Sequence, residues 1–445
     1  MQTAPIDYPI KGMLKRLIGH EGSLRRKAIV GGNWQMVRSM LVIGMEMVRA
    51  AIFARVLFPD DYGLMALAAT VTMLLESFTA TGIELMILRE KDDFPTRLRA
   101  YWTIMFVRGC FLALLCCALS VPVARFYNNP QLIPVICVLS LCFILKGVTG
   151  FGREIRQREM DFKRVAIVET VVMLVGLILS LIALFTLRNV WALVGYSLIT
   201  ALGQVAISYV LYPWKPGFAV DPSLFGKMLA FSGMVIVGTL ANYFFTSFDV
   251  ATIGKLLGIH HVGLYARANF LALLPALYFS NLLAPAVLPV LRAADSEKGR
   301  LNRVFWTMFS ISLVLFSLCG IVLELLSRWV ILIVYGSSWL DLLNIYRILI
   351  IYGCFKAGTF VVPMIYVVKD KPLLGIASAV VLSGSFAILC VPMTRSIGVE
   401  GTAWAVVISG ILCQMVSILI VWRFILKPSA CAKNPVFPPA KRNPS

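Results

Sequence analysis

TVVMLVGLILSLIALFTL, residues 170–187, carries no charge. At 1.5 Å per residue, a helix of that length crosses most of a hydrocarbon core about 30 Å thick. Residues 189–214, 373–394 and 401–422 are equally free of charge and longer still. The whole chain has the same character, since its 445 residues are 59% hydrophobic and 14% charged with a mean hydropathy of +0.86. A soluble multidomain protein is excluded by that composition. The 41 Lys and Arg against 22 Asp and Glu give a net charge of +19. Such a surplus would suggest nucleic acid in a soluble protein, but in a bilayer it marks cytoplasmic loops, so no nucleic-acid partner is expected. The 10 cysteines lie almost entirely in apolar runs with no C-x-x-C pair, and read as small hydrophobes rather than disulfides or zinc ligands.

Working outward from the charge-free stretches, with Phe58-Pro59-Asp60-Asp61, Asn128-Asn129-Pro130 and Lys371-Pro372 as turns, twelve helices are predicted. The first six cover residues 33–56, 62–88, 98–123, 130–150, 162–187 and 189–212. The second six cover 224–256, 262–291, 304–334, 340–368, 373–393 and 398–426. The expected fold class is an all-α polytopic membrane protein, with segment 1–27, a six-helix bundle 28–213, a second bundle 214–426 and a Pro/Lys-rich tail 427–445. With both termini cytoplasmic, basic residues such as Lys11, Lys15 and Arg16, then Arg89 to Arg99, Lys146 to Arg164, Arg292 to Arg303 and Arg423 to Arg442 fall inside. Only Arg55, Arg125, Arg188, Lys255, Arg267, Arg328 and Arg395 fall outside, as the positive-inside rule requires. Segment 1–27 is polar and basic with no apolar core, unlike a cleaved signal peptide.

The sequence also repeats. Residues 54–68, ARVLFPDDYGLMALA, align without gaps to residues 254–268, GKLLGIHHVGLYARA, with a basic residue second in each and Gly-Leu shared at Gly63-Leu64 and Gly263-Leu264. Trp191-Ala192 at the start of helix six is echoed by Trp404-Ala405 at the start of helix twelve. Six helices per half make both halves enter from the same face, the parallel repeat of transporters that rock about a central cavity. No Walker A motif is present, and no loop has room for a nucleotide-binding or outer catalytic domain. His260-His261 on a turn reads as a solvated polar loop before a proton sensor or metal pair. The chain is therefore expected to be no enzyme and to need no cofactor.

Residues 53–64, FARVLFPDDYGL, and 156–163, RQREMDFK, resemble the polysaccharide biosynthesis flippases of the multidrug/oligosaccharidyl-lipid/polysaccharide exporter superfamily, the Wzx-like group. So do residues 253–265 and the stretch VYGSSW at 334–339, and the resemblance extends over residues 28–422. It implies translocation of undecaprenyl-diphosphate-linked oligosaccharide from the cytoplasmic to the periplasmic leaflet of the bacterial inner membrane. It also implies that membrane lipids and polysaccharide polymerase or export machinery are the partners. These motifs are turn and packing signatures and do not fix the sugar.

Ionisable residues within spanning helices must face a wet or polar interior, so they locate a cavity. Gln35, Arg38, Glu46 and Arg49 fall within an arc of roughly 80° on the first helix, at about 100° per residue. Glu76 and Glu84 lie on the second helix and Arg108 on the third. In the second half, Thr239, Asn242, Thr246 and Asp249 share a face of helix seven, Arg347 and Lys356 lie on helix ten, and Glu169 and Glu324 complete the set. One reading gives these arginines and lysines a diphosphate or acidic sugars to hold. The competing reading makes Glu46 with Arg49 an i,i+3 pair that fixes packing, and leaves Arg347 and Glu324 snorkelling at a helix end. A cation-coupled multidrug exporter of the same superfamily is the rival transporter, though its cavity should be dominated by carboxylates. A major-facilitator carrier is disfavoured because REKDDF at 89–94 lacks the G-x-x-x-D-R-x-G-R signature. A membrane glycosyl-polymerase or ligase is disfavoured by the short outer loops.

Overall fold

The computed structural model describes residues 21–79, 83, 87, 94–159, 161–295 and 300–423, and all of its regular structure is helical. Glu84, the 89–93 loop and the 427–445 tail lie outside the described residues, and Gln35 is described as a helical position only. Among the described residues, fifteen α-helices follow one another in chain order. In the first half they are α1 (Glu21–Val56), α2 (Pro59–Phe78), α3 (Phe94–Phe126), α4 (Leu132–Val148), α5 (Gly152–Arg158), α6 (Phe162–Leu187) and α7 (Val190–Leu211). In the second they are α8 (Pro222–Leu256), α9 (Ile259–Asp295), α10 (Arg300–Leu325), α11 (Ser327–Val334), α12 (Leu343–Gly358), α13 (Val361–Val368), α14 (Pro372–Ile397) and α15 (Val399–Val421). A 3₁₀ turn, Ser337–Leu342, leads into α12.

Among the described residues, eight helices are long and apolar enough to cross a membrane. These include α3, α6, α7, α10 and α15, whose sequences carry few charges. α4 is apolar but only 17 residues long, whereas α1 carries the polar stripe that lowers its hydropathy. Among the described residues, helical segments overlap the stretches predicted from hydropathy, with four departures.

α1 begins at Glu21, inside the predicted polar segment, where Leu24, Arg25, Arg26, Lys27 and Ala28 are good helix formers that need no bilayer. A seven-residue helix, α5, occupies the inner loop before α6, and Arg156 Nε on it donates to Leu211 O at 2.9 Å. Predicted helix nine breaks at Leu326 into α10 and α11. Predicted helix ten breaks after Gly358 into α12 and α13, and here the freed backbone is cared for: Ser312 Oγ from α10 donates to Gly358 O at 2.7 Å. A carbonyl left open in a lipid-surrounded helix costs several kcal/mol, so a neighbouring hydroxyl is what allows the break.

The two halves meet most intimately at the end of the molecule holding the α1–α2 and α8–α9 turns. Trp339 is fully buried there, donates from Nε1 to Ala54 O at 2.7 Å and meets the Tyr62 ring edge-on at 5.4 Å. Arg267 lies 4.2 Å over the other half's Tyr62 ring. The two turns also approach through glycine. A Cβ on Gly63 would collide with the backbone oxygen of Ile259, and a Cβ on Gly263 would collide with the backbone oxygen of Pro59.

Candidate functional site

α1 enters the membrane region with its polar stripe turned toward α6 and α7, and the three helices enclose a cavity of about 410 Å³. Arg38, Glu46 and Arg49 line it, as the helical wheel predicts, and α6 adds Glu169, α5 adds Arg153 and α7 adds Tyr196. Glu169 is almost fully buried and takes Arg38 on one side and Arg153 Nε on the other, the latter at 3.0 Å. Arg38 Nε is itself buried without a hydrogen-bond acceptor among the described residues.

Glu46 and Arg49 form the i,i+3 pair foreseen from the sequence. Arg49 Nε and Nη2 both donate to Glu46 Oε2, at 3.0 and 2.5 Å. The Tyr196 hydroxyl donates to Glu46 Oε1 at 2.6 Å, and the Arg49 guanidinium lies 3.8 Å above the Tyr196 ring. Both carboxylate oxygens of Glu46 are thus engaged, while Nη1 of Arg49 takes no part in the pair. Tyr196 and Glu46 together hold the guanidinium plane in one place, so it presents a fixed donor edge to the cavity.

A second cavity of about 580 Å³ lies between the halves, lined by Glu76, Arg108, Lys146, Glu154, Thr239 and Asn242 among others. Lys146 on α4 pairs with Glu76 on α2, and Arg108 Nη1 lies 3.9 Å from Met105 Sδ on its own helix. Gln204 on α7 borders both cavities, so they share a wall. A third cavity of about 780 Å³ opens between α1 and the helices α9 to α12 of the other half, and its lining is apolar save for Arg38, Ser39 and the two tyrosines Tyr278 and Tyr346. Arg38 borders this apolar space and the first polar one at once.

The other sequence candidates lie elsewhere. Asp249 is buried away from these cavities, accepting from Tyr265 Oη and from the Val250 N–H, each at 2.7 Å. Arg347 lies in a lateral groove of about 660 Å³ with Trp404, 3.3 Å from Glu324 and donating to Ser327 Oγ at 3.0 Å. Lys356 lies 5.6 Å over the Tyr352 ring and lines none of these four spaces. Arg153, Tyr196, Lys146 and Glu154 were missed as site residues. No local pattern marks them, because each joins the site from a helix distant in sequence. His260 meets Asp60 at 3.2 Å and His261 bonds Leu257 O at 2.9 Å on exposed surface, and no cluster able to hold a metal exists among the described residues.

Comparison with known proteins gives concordant results. A family model described as "Polysaccharide biosynthesis protein" matches residues 52–344. The lipopolysaccharide biosynthesis protein WzxC of Escherichia coli K12 is 23% identical over 339 residues, 75% of this chain and 68% of that protein. Among solved structures, the lipid II flippase MurJ in an inward closed conformation superposes with a TM-score of 0.69 at 15% identity, over 88% of this chain and 87% of that one. An inward-facing multidrug resistance MATE transporter of the MOP superfamily superposes with a TM-score of 0.59 at 17% identity, over 86% and 93% of the two chains. At these identities the structural likenesses establish a shared fold.

Proposed function

The chain belongs to the polysaccharide biosynthesis protein family, a group of multi-pass membrane transporters with the MOP fold, and on that premise we propose that it flips a lipid-linked oligosaccharide across the bacterial inner membrane. The cargo in this reading is an oligosaccharide on undecaprenyl diphosphate, carried from the cytoplasmic to the periplasmic leaflet by alternating access of two six-helix bundles, with both termini cytoplasmic.

The observation that carries the proposal is the position of Arg38. It borders a polar cavity and an apolar one together, the division that a charged headgroup joined to a hydrocarbon tail requires. The diphosphate and sugars would occupy the polar space beside Arg38, Arg49 and Arg153, and the polyprenyl chain would leave through the apolar gap between α1 and α9. The polar space is lined by three arginines against two glutamates, Glu46 and Glu169, a balance that favours an anion over the cations of a multidrug exporter. Twelve spans are supported by the agreement of the helices with the hydropathy reading, and a parallel duplication by the matched approach of Gly63 and Gly263.

The test is accumulation. A strain lacking the gene should build up lipid-linked oligosaccharide at the cytoplasmic face, and purified protein in liposomes should expose that lipid to an enzyme added outside. Normal surface polysaccharide in the deletion strain, with no lipid-linked intermediate accumulating, would refute the reading.

A further inference from the structure

The lateral groove of about 660 Å³ between α10, α12 and α15 belongs to neither the polar cavities nor the gap beside α1, and it is polar at one end only. Glu324 is the second-last residue of α10, whereas Arg347 and Trp404 lie in the first two turns of α12 and α15. α10 runs toward the turn from which α12 starts, and α15 runs the same way as α12, so the three residues share one end of the groove. The rest of the lining is apolar or small, with Ser317, Gly320, Ile350, Cys354, Phe355 and Ile411 leading away from that end. Ser317, Gly320, Ile321 and Glu324 recur at intervals of three and four, one face of α10, so the trough extends about 10 Å from Glu324 along the helix. A Cβ on Gly320 would stand 3.2 Å from Cys354 Cβ, so α10 and α12 meet closely and close the trough behind.

The charged residues lining the groove are Glu324 and Arg347, one of each sign, and both side chains are 45% exposed. Arg347 meets Glu324 Oε1 at 3.3 Å and Ser327 Oγ at 3.0 Å through Nε in both cases. Its two Nη nitrogens and Glu324 Oε2 stand outside those contacts. The neighbouring Leu325 and Trp329 are exposed, so this surface faces lipid rather than protein. A charge pair on a lipid-facing surface is costly among acyl chains and comfortable at headgroup depth. Trp329 and Trp404, both exposed, are the residue type that marks that depth.

We propose that this groove is a binding site for one membrane phospholipid with an ethanolamine headgroup, its phosphate on Arg347, its ammonium on Glu324 and an acyl chain along the trough. The observation that selects this occupant is the pairing of opposite charges over an apolar channel, which matches a headgroup carrying both signs over a hydrocarbon tail. The phosphate oxygens accept from the Arg347 Nη nitrogens, and the ammonium N–H groups donate to the Glu324 carboxylate. Phosphatidylglycerol offers the phosphate but nothing cationic to Glu324. Phosphatidylcholine offers a cation with no N–H to donate. A lipid diphosphate brings more negative charge and no cation, so Glu324 repels it. Arg347 also holds Ser327, the first residue of α11, so a lipid fixed on Arg347 braces the break between α10 and α11. The site is separate from the cargo path and does not depend on the cargo assignment.

The experiment places full-length protein in bilayers made of equal parts synthetic phosphatidylethanolamine, phosphatidylglycerol and phosphatidylcholine, releases it in mild detergent and weighs it with its retained lipid by native mass spectrometry. One phosphatidylethanolamine per chain should be retained, about tenfold over either competitor, since each competitor lacks one charge-assisted hydrogen bond. Glu324→Gln should erase the preference over phosphatidylglycerol while lipid is still retained. Arg347→Gln should lose the retained lipid of either kind. Ile351→Trp, which fills the trough and leaves the ion pair untouched, should also lose it, and this variant carries the test if Arg347→Gln fails to accumulate. Equal retention of the three lipids by the unmodified protein would overturn the proposal, as would an ethanolamine preference that survives Glu324→Gln or retention that survives Ile351→Trp. A lipid diphosphate displacing phosphatidylethanolamine from this groove, or a second copy of the chain covering it, would overturn it too. These readings involve no transport, so a wrong cargo assignment shows only in the deletion strain and leaves them unchanged.

Discussion

Replacing Tyr196 tests whether Arg49 serves the cargo or only the packing of α1. Tyr196 contributes to Arg49 in two separable ways, a hydroxyl that fixes Glu46 Oε1 at 2.6 Å and a ring face 3.8 Å beneath the guanidinium. Tyr196→Phe removes the hydroxyl alone. In a cavity reached by water, the lost hydrogen bond to a carboxylate should cost about 1 kcal/mol in the positioning of Arg49, or a fall in cargo affinity of about fivefold. Tyr196→Leu removes the ring as well, adding a cation–π contribution of about 0.5–2 kcal/mol. Arg49→Ala removes a charge-assisted donor outright, about 1.5–3 kcal/mol, which is tenfold or more in affinity. If Tyr196 acts through Arg49, the double variant Arg49→Ala with Tyr196→Leu should bind no worse than Arg49→Ala alone. The assay is a double-mutant cycle on the affinity of purified protein for a lipid-linked diphosphate oligosaccharide, with export in complemented cells as a second readout. Multiplying effects in the double variant, or unchanged affinity in Arg49→Ala, would refute the role given to Arg49 and leave the pair to packing.

At the first site position, Arg38→Lys should retain part of the export that Arg38→Ala loses, because Lys keeps the charge but not the planar fork; equal loss in both would argue for a purely steric role. Ser312→Ala should leave Gly358 O unsatisfied at the α12–α13 break and cost about 1–3 kcal/mol, read as earlier thermal unfolding in detergent, and unchanged unfolding would remove Ser312 from the break. Single cysteines at Asn128, Asn189, Ser337 and Ile397 should react with an impermeant thiol reagent from the periplasm, whereas those at 153–164 should not; labelling of the latter in intact cells would overturn the orientation.

How much of this was readable in the chain depended on the range of the interaction. Hydropathy found the helices because each is a local run of apolar residues, and the helical wheel placed Arg38, Glu46 and Arg49 in one cavity because they share one helix. Glu46–Arg49 was visible as an i,i+3 pair, but Arg38–Glu169 spans 131 positions and has no local trace. The breaks at Leu326 and Thr359 were hidden because their local signals, Glu324 and Arg328 about the first and Lys356, Gly358 and Pro363 about the second, are isolated residues inside apolar runs long enough to read as one helix. α5 was hidden for the opposite reason, being short and basic in a loop already explained by topology. The wheel also cannot give depth of packing. Asn242 and Asp249 lie on one face of α8, yet Asn242 lines the central cavity while Asp249, two turns on, is enclosed with Tyr265.

Packing and transport are usually set against each other as explanations for a charge at bilayer depth, but under the proposed function the same pairs would answer to both. An unpaired arginine in the cavity between visits of cargo would cost several kcal/mol, because it must be held away from bulk water with no counter-ion. Glu169 and Glu46 remove that cost by pairing with Arg38, Arg153 and Arg49. The Glu46 pairing does not exhaust the donors, since Arg49 offers Nη1 outside its pair. Under the proposed function, a diphosphate entering such a site would not have to break an ion pair to bind; it would add acceptors to a guanidinium edge already fixed in place. Binding then stays shallow, because the carboxylates continue to compete for the same arginines, and a transporter needs a cargo that it can also release. Neutralising Glu169 should therefore tighten binding while slowing export, the opposite of what a carboxylate that only fixes packing would do.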